Sequence, residues 1–326
     1  MLFRSALELS DYAGFAQRKA QALARGKLRG IGLACYLEAS GAGNAPKDQV
    51  QGHFTPQGLL EIHAVTGASG QGHETSFSQI IERELGLPAA LVRYRAGTVD
   101  SKKLVGNGTG GSRTLYGAGS AILSLAQRLK EQVSALRQEL GLEAAISDWA
   151  GWVQGLSAAQ RERLSALGEA SSGSTFPNGC HVAEIEVDPH TGCTQVVQYW
   201  AVDDLGKVIS PDLVRGQVHG GVVQGWGQAF CEQVVYDEQG QLVTGSLMDY
   251  AMPRLGDMPV IRNETVEVTT GLNALGSKGV GESGCTGSLP ALSNAMMSVL
   301  RPYGVTGMDM PFTPAKVWAA LNPASS

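Results

Sequence analysis

The residues best suited to chemistry lie in the stretch SKGVGESGCTGS, residues 277–288, where glycines surround Glu282. Glycine weakens helices and strands, but it lets the backbone come close to a ligand. A glutamate held away from water has a raised pKa and takes up a proton near neutral pH, so Glu282 is a candidate general base. The alternative is a solvated glutamate near a helix start, where its charge interacts favourably with the helix dipole.

Two further glycine clusters have the same form: TGASGQGHET at 66–75 and GNGTGGSRTLYGAG at 106–119. Each of them, like 277–288, is predicted to open directly into a helix. A helix N-terminus presents unpaired N–H groups and a partial positive charge, and neighbouring glycines let an anion touch the backbone. The clusters together predict a shared site for a phosphate-bearing ligand. Taken alone, each cluster is more often only a turn.

The common nucleotide-binding motifs and metal-ligand spacings do not occur. GTGGSR lacks the GK[ST] of a Walker loop, and GAGNAP lacks the third glycine and the following acidic residue of a dinucleotide-binding βαβ unit. In GGVVQGWGQAF, residues 220–230, Gln224 could offer its amide to the edge of a planar ligand. Close backbone packing is the other explanation for these helix glycines. The histidines show no paired i,i+4 spacing, so no protein ligand to a metal is expected.

Composition narrows the classes of function. The chain has 326 residues and a net charge of −5 without a basic run, which argues against a nucleic-acid partner. It shows no signal peptide and no apolar run near the ~20 residues of a membrane helix, so a cytoplasmic location is expected. Five dispersed cysteines without a CxxC pair argue against a disulfide framework, a zinc site and a cysteine-ligated iron–sulfur cluster. Glycine supplies 43 of the 326 residues, roughly twice the average share of about 7%.

The elements that must position these residues mix helices and strands without a regular βαβ order. In the first half, hydrophobic periodicity predicts a helix over 8–27, a helix that follows the glycine cluster 66–75 and ends at Gly86, a helix over 116–140, and short helices over 146–168 with Ser157 as an N-cap. It also predicts strands over 29–39, on both sides of TPQG and over 91–100. In the second half it predicts hairpins around PHTG and over 234–246, a helix over 214–233 and a strand over 264–270. A further helix is predicted with Ser288 as its N-cap and with Pro302 after its end. The sequence therefore predicts an α+β fold with parts 1–170 and 171–326.

Five segments occur together and in order: GQGHET, GTGGSRT, VDDLGKVISPDLVRGQVHGGVVQGWGQAF, GSLMDYAMPR and KGVGESGCTGSLPALSNAM. Together they resemble the molybdenum hydroxylases, the family of xanthine dehydrogenase, aldehyde oxidase and aerobic carbon monoxide dehydrogenase. The resemblance covers nearly the whole chain and is to the C-terminal part of the molybdopterin-binding large subunit. It implies two related α+β molybdopterin-binding subdomains, 1–170 and 171–326, of which the second carries the catalytic glutamate.

The resemblance also implies a cofactor and its contacts. The cofactor is molybdopterin with molybdenum, expected in the cytosine dinucleotide form, and the protein gives the metal no ligand. Glu282 is then the catalytic base of an oxidoreductase that hydroxylates an aldehyde or N-heteroaromatic carbon with oxygen from water. The implied cofactor contacts are Gln71 and Gly72 near the metal, Thr109, Gly110, Gly111, Ser112, Arg113 and Thr114 at the phosphate end, Asp204 and Gln217 at the nucleotide, Gln224 at the pterin, and Gly281. At Leu205, relatives often carry cysteine.

Several parts of the family's enzymes do not occur in this sequence: the upstream half of the large subunit, the cluster-binding cysteines and the flavin-binding region. The implied partners are an upstream-half molybdopterin subunit, an iron–sulfur subunit and, in part of the family, a flavin subunit with FAD, besides a small-molecule substrate. The chain is expected to be a natural split subunit or part of a longer gene product, with an exposed apolar surface above a few hundred Å². The alternatives are a non-catalytic cofactor-holding or assembly subunit and an unrelated nucleotide-binding module.

Overall fold

The computed structural model describes residues 1–41 and 43–323 of the chain. Its helices are α1 (Leu2–Leu9), α2 (Phe15–Ala24), α3 (His73–Leu85), α4 (Thr114–Glu139), α5 (Trp149–Gln154), α6 (Ala158–Glu162), α7 (Pro211–Phe230), α8 (Ser283–Leu300) and α9 (Pro314–Leu321). Its strands are β1 (Leu28–Leu37), β2 (Asp48–Phe54), β3 (Leu60–Ala64), β4 (Val92–Ala96), β5 (Ser165–Ala170), β6 (Asn178–Val187), β7 (Thr194–Asp204) and β8 (Ile261–Val266). Helices and sheets pack together, so the predicted α+β class is confirmed. Within these ranges no helix is long and apolar enough to cross a membrane.

The first sheet has the strand order β4-β3-β2-β5, and the first glycine cluster follows β3 along the chain. β2 and β3 form the antiparallel hairpin predicted around TPQG, and β4 joins β3 in parallel. α3 and α4 pack on each other and on this sheet, with Phe77 and Ile80 of α3 and Leu125 of α4 in the shared core. The predicted helical spacing in α3 and its glycine end at Gly86 are confirmed. This packing fixes where α3 and α4 begin.

The second sheet has the order β1-β6-β7-β8. β6 and β7 form the antiparallel hairpin predicted around PHTG, and β8 joins β7 in parallel. α8 lies across β1 and β6, and α7 lies against α8. α1 packs on β6 and β7 and α2 packs on β1, and a separate cluster there includes Ala6, Ile31 and Trp200. Because β1 pairs with β6, the second sheet contains strands from both sides of residue 170. The division into 1–170 and 171–326 stays a prediction.

α7 and α8 approach each other at glycines. A Cβ on Gly221 would lie 2.8 Å from the Cα of Gly284, and a Cβ on Gly284 would lie 2.9 Å from the Cα of Gly221. Gly225 faces Ser288 in the same way, so any side chain there would collide with α8. Close backbone packing therefore accounts for these glycines of α7, and it places the N-terminal part of α8 beside α7.

Three sequence predictions of local structure are wrong. The helix over 8–27 is two helices, because the chain turns at Asp11, which has a left-handed φ of 45°. The helix predicted from Ser288 begins earlier, at Ser283, so Ser288 lies inside α8 and does not cap it. Residues 165–168, assigned to short helices, belong to β5, which pairs with β2. In the second and third cases the chain follows tertiary packing, which outweighs local propensity.

The hairpin predicted over 234–246 is reduced to a short antiparallel turn, with Val243 N–H donating to the Val235 carbonyl at 2.8 Å. A single bridge joins Tyr236 and Leu242, and neither flank forms a strand. A two-stranded hairpin is marginal in water unless another layer covers it. In this chain nothing covers it among the described residues, because both side chains of the bridge are exposed.

Candidate active site

Four helices begin around one cavity of about 330 Å³, a size that suits a small-molecule ligand. Its walls come from the N-terminal turns of α3, α4, α7 and α8 and from the loops that precede α3, α4 and α8. Of the residues predicted to form a site, the cavity is lined by Gln71, Thr109, Gly110, Gly111, Ser112, Thr114, Gln217, Gly281 and Glu282. The three glycine clusters thus meet at one place.

None of these four helix N-termini is capped by a side chain. The N-cap residues Gly72, Arg113, Ser210 and Glu282 make no side-chain bond to the first turn. By contrast, side chains cap the N-termini of α5, α6 and α9, which lie elsewhere. The uncapped N–H groups and helix dipoles give the cavity a positive potential, which favours an anion.

A buried ion pair holds the loop before α4. Both guanidinium NH groups of Arg113 donate to Asp48, and Asp48 Oδ1 also accepts the Asn107 N–H at 3.1 Å. Asp48 is 3% exposed and Arg113 is 6% exposed. The Arg113 side chain therefore does not line the cavity, and it fixes the backbone of the loop through Asp48.

Two residues of the same loop have an unusual backbone conformation at the cavity wall. Gly111 and Ser112 are consecutive residues in the left-handed region, with φ of 57° and 59°. Serine rarely adopts this conformation, so the strain at Ser112 must be offset by its surroundings. A Cβ on Gly110 would meet nothing within 4 Å, which leaves open space above the backbone. A ligand has room to approach the loop there.

The first glycine cluster is tied to the second. The Thr109 hydroxyl donates to the carbonyl of Gly67 at 3.0 Å, and the Thr114 and Thr109 hydroxyls lie 3.3 Å apart. Gln71 lines the cavity, whereas Gly72 lies against Leu213 of α7, where any side chain would collide. Gly72 therefore permits the contact between α3 and α7.

Glu282 is fixed by Ser112. The Ser112 hydroxyl donates to Glu282 Oε2 at 2.6 Å, and the backbone N–H of Glu282 donates to Ser112 Oγ at 3.0 Å. Gly279 lets the two loops approach, because a Cβ there would lie 2.7 Å from the Ser112 carbonyl oxygen. Glu282 is exposed at the cavity wall, with its side chain held in place by one tether. The bare backbone around Glu282 thus serves the close contact with the second cluster.

Asp204 acts on the cavity through a lysine. Its Oδ2 accepts Lys278 Nζ at 2.6 Å, and its Oδ1 accepts the backbone N–H groups of Gly206 and Val268 at 3.1 Å each. Asp204 itself is buried, whereas Lys278 lines the cavity and adds positive charge. Leu205 is also buried, at 2% exposure. Gln217 lines the cavity, but Gln224 is exposed further along α7 and does not reach it.

Sequence reasoning missed several residues of the site. Lys278 stands in the quoted motif but received no role, and Leu213 and Ser210 gave no signal beyond their place at a helix start. His73 was noted in the sequence as a polar residue of the first glycine cluster; it begins α3, lines the cavity and stacks on Phe77, and burial lowers the pKa of its imidazole. Among residues 1–41 and 43–323, no group of three His, Cys, Asp or Glu side chains is arranged to hold a metal ion.

Glu38 was also missed. Both of its carboxyl oxygens are buried without a hydrogen-bond partner, and the side chain faces Ser112 and Glu282. Burial and then the negative charge of Glu282 raise the pKa of Glu38 to about 7. The alternation of β1, which turns every second residue to one side, was the signal that could have found it.

The fold and the cavity define an α+β domain that binds an anionic ligand among helix N-termini. The model of the molybdopterin cofactor-binding domain matches residues 5–259, and the chain belongs to this family. It is 31% identical to the nicotine 6-hydroxylase large subunit of Paenarthrobacter nicotinovorans, over 97% of this chain and 43% of that protein. The resemblance to the molybdenum hydroxylases is thereby confirmed.

Solved structures agree with this assignment. Quinoline 2-oxidoreductase from Pseudomonas putida 86 superposes with a TM-score of 0.86 at 31% identity, over 99% of this chain and 45% of that chain. The Cu,Mo-CO dehydrogenase superposes with a TM-score of 0.84 at 25% identity, over 98% of this chain and 45% of that chain. The chain therefore spans less than half the length of these relatives.

Proposed function

We propose that this chain is the molybdopterin-binding part of a molybdenum hydroxylase that oxidises a carbon of an N-heteroaromatic or aldehyde substrate with oxygen from water. The observation that carries the proposal is the convergence of four uncapped helix N-termini on one cavity beside a tethered glutamate. The N-heteroaromatic class is favoured because two relatives at 31% identity are named for nicotine and quinoline.

The residues present fit such a cofactor. Gly110 leaves its backbone open for a phosphate at the start of α4, Gly111 lines the cavity beside it, and Lys278 supplies a cation at the same cavity. Gln71 offers an amide at the start of α3. Several helix N-termini around one cavity suit more than one phosphate group, which supports the cytosine dinucleotide form. Release of CMP on mild hydrolysis of the purified cofactor would support this form, and its absence would contradict it.

Glu282 is the residue that handles the proton. Its Oε2 accepts the Ser112 hydroxyl, so Oε1 is the atom that takes up a proton from the reacting water oxygen. The Ser112 bonds keep the carboxylate aimed at the cavity. The molybdenum–pterin group, when bound, supplies the two-electron redox chemistry. The electrons would then leave through iron–sulfur clusters and FAD on partner subunits.

An upstream-half subunit is the partner expected at the irregular segment 231–260. Large apolar side chains are exposed there: Leu247 at 79%, Met248 at 94%, Leu255 at 99% and Val260 at 82%. Such a concentration of exposed apolar groups is typical of a surface that another chain or domain covers. The cytoplasmic location expected from the sequence stays a prediction.

The test is an isotope experiment on the complex purified from its native host. Anaerobic turnover of an N-heteroaromatic substrate with a dye as electron acceptor, in water enriched in oxygen-18, should place the heavy isotope in the product. Product without the heavy isotope would contradict a hydroxylase that uses water. A complex that holds the cofactor but shows no turnover with any substrate of either class would favour the cofactor-holding function instead.

A further inference from the structure

The carboxyl group of Glu38 lies in an unusual setting behind the candidate active site. Glu38 directly follows β1, and its backbone N–H donates to the carbonyl of Pro177 at 2.9 Å. Its neighbours along the chain are fixed as well: the Tyr36 hydroxyl donates to Asp203 at 2.8 Å, and the Ser40 hydroxyl donates to the Thr175 carbonyl at 3.0 Å. The position of Glu38 is therefore set by the fold.

The side chain of Glu38 has no local partner for a negative charge. Both carboxyl oxygens are buried, and no group makes a hydrogen bond to either of them. Burial and then Glu282 raise the pKa of Glu38, and the nearby Ser112 hydroxyl lowers it, although neither Ser112 nor Glu282 reaches hydrogen-bond geometry with the Glu38 oxygens. A buried carboxylate without donors, next to a second carboxylate, is costly, so the protonated form of Glu38 is favoured.

The hydroxyl of Ser112 has capacity for one more donor. A serine hydroxyl donates one hydrogen bond and accepts two. Ser112 donates to Glu282 Oε2 and accepts the Glu282 N–H, which leaves one acceptor position. A protonated Glu38 carries one O–H donor, and rotation about its side-chain bonds would bring this O–H to Ser112 Oγ. The three groups would then be fully satisfied.

We propose that Glu38 is a positioning residue for Glu282, with which it shares one proton across the Ser112 hydroxyl. In the resting site the proton is bound to Glu38, and Glu282 stays an ionised base. Loss of that proton to solvent leaves two carboxylates on either side of Ser112, and the hydrogen-bonded chain from Glu38 to Glu282 is broken. The proton count of the pair therefore changes by one near neutral pH.

The other titratable groups that face Glu38 stay neutral in this range. Tyr36 approaches from β1 and Tyr116 from α4, and burial raises the pKa of both phenols. The remaining facing group is the Glu282 carboxyl at the start of α8. A titration near pH 7 is thus attributable to Glu38 coupled to Glu282.

Infrared difference spectroscopy of the purified complex tests the pair. Between about pH 5 and pH 9 we expect one neutral carboxyl band to disappear with a midpoint near 7. Glu38→Gln should remove the band, Glu282→Gln should lower its midpoint because the neighbouring charge is gone, and Glu131→Gln on the solvent face of α4 should change neither. A band that survives Glu38→Gln, or a midpoint unaffected by Glu282→Gln, would overturn the proposal. The Glu282→Gln measurement keeps the test valid if Glu38 variants do not fold.

The pH dependence of turnover is a second measurement, and a merely structural role of Glu38 would leave it unchanged. Glu38→Gln keeps a neutral donor, so turnover should stay within about threefold while the inflection near pH 7 is lost. Glu38→Ala should lower turnover by about tenfold or more, the loss expected for a hydrogen bond in a charged network. Equal losses in both variants, with an unchanged pH profile, would contradict the proposal.

This inference rests on the proposed function only for the role of Glu282 as a base. The infrared titration needs no turnover, so the two can fail separately. A coupled carboxyl pair in an inactive complex would contradict the proposed function alone. An active complex without coupling would contradict the role of Glu38 alone.

Discussion

Ser112 and Glu282 hold each other across the candidate active site, although they are 170 residues apart in the sequence. The Ser112 hydroxyl donates to Glu282 Oε2 at 2.6 Å, and the Glu282 N–H donates to Ser112 Oγ at 3.0 Å. This pair joins the loop before α4 to the start of α8, and so it joins the two sheets at the cavity. The strained φ of 59° at Ser112 is maintained by these bonds.

Removal of the Ser112 hydroxyl should loosen Glu282. Ser112→Ala and Ser112→Gly both delete the two bonds, so both should lower turnover by about tenfold or more, as expected for lost bonds to a charged group. Only the alanine keeps a Cβ at a left-handed φ, so Ser112→Gly should be the more stable variant by about 1 kcal/mol. Steady-state kinetics and thermal unfolding check the two effects separately. Wild-type turnover in both variants would show that the tether has no role.

Glu282→Gln should remove proton uptake while keeping the shape of the site. We expect turnover to fall by about 10²–10⁴, the usual contribution of a general base, with unchanged molybdenum and pterin content. Glu131→Gln, on the solvent face of α4, is the matched control and should behave like wild type. Near-normal turnover of a metal-replete Glu282→Gln complex would rule out the role of base.

Asp48→Ala should disorganise the loop before α4. The change leaves the Arg113 guanidinium buried without its partner, which costs about 3–5 kcal/mol for a buried pair. The Asn107 N–H also loses its acceptor. We expect a clear fall in Tm together with loss of bound cofactor. Glu139→Gln, which breaks the exposed pair with Arg163, is the control and should leave Tm nearly unchanged. Equal Tm values for the two variants would contradict this account.

Glu38 should make the protein less stable as pH rises toward neutrality. Its pKa is raised from 4.5 to about 7 in the folded state, so the folded state binds the proton more tightly than the unfolded state. The stabilisation from protonation is complete below the unfolded pKa and is lost as pH rises through the folded pKa. Relative to wild type, Glu38→Gln should therefore gain stability between pH 4.5 and about 7, by on the order of 1–3 kcal/mol. Parallel stability profiles for the two proteins would contradict the shifted pKa.

The exposed apolar segment should control assembly. Met248→Lys and Leu255→Lys place charges where side chains are 94% and 99% exposed, so the fold should tolerate them while a covering partner should not. We expect less partner chain to co-purify. Leu23→Lys, at 64% exposure on α2, is the control and should co-purify normally. Unchanged assembly of all three variants would exclude segment 231–260 from the interface.

Periodicity and turn chemistry in the sequence were sufficient to predict the elements nearest the cavity. α3 and α4 follow from their helical spacing and from the glycines before them, and the hairpins of β2–β3 and β6–β7 follow from alternation. The predictions failed where tertiary contacts decide. α8 begins earlier than Ser288 because glycines pack its first turn against α7, and the hairpin over 234–246 lacks a covering layer.

The partners within the site could not be predicted in the same way. Glu282 and the glycine loops were found from local pattern, but the Asp48–Arg113 pair spans 65 residues and the Asp204–Lys278 pair spans 74. Such contacts depend on how the sheets and helices pack, which a single sequence does not specify at side-chain level. Gln224 was predicted from local pattern and does not reach the cavity. The glycines beside it are explained by helix packing instead.

The most direct test of the central claim is the molybdenum and pterin content of the complex purified from its native host. The wild type should hold about one molybdenum and one pterin per chain, as expected for a resident cofactor. Gly110→Leu adds a side chain where nothing lies within 4 Å, so it should fill the cavity without unfolding the chain and should abolish both signals. Absence of molybdenum from the wild type, or undiminished cofactor in a folded Gly110→Leu complex, would contradict a cofactor site among these helix N-termini.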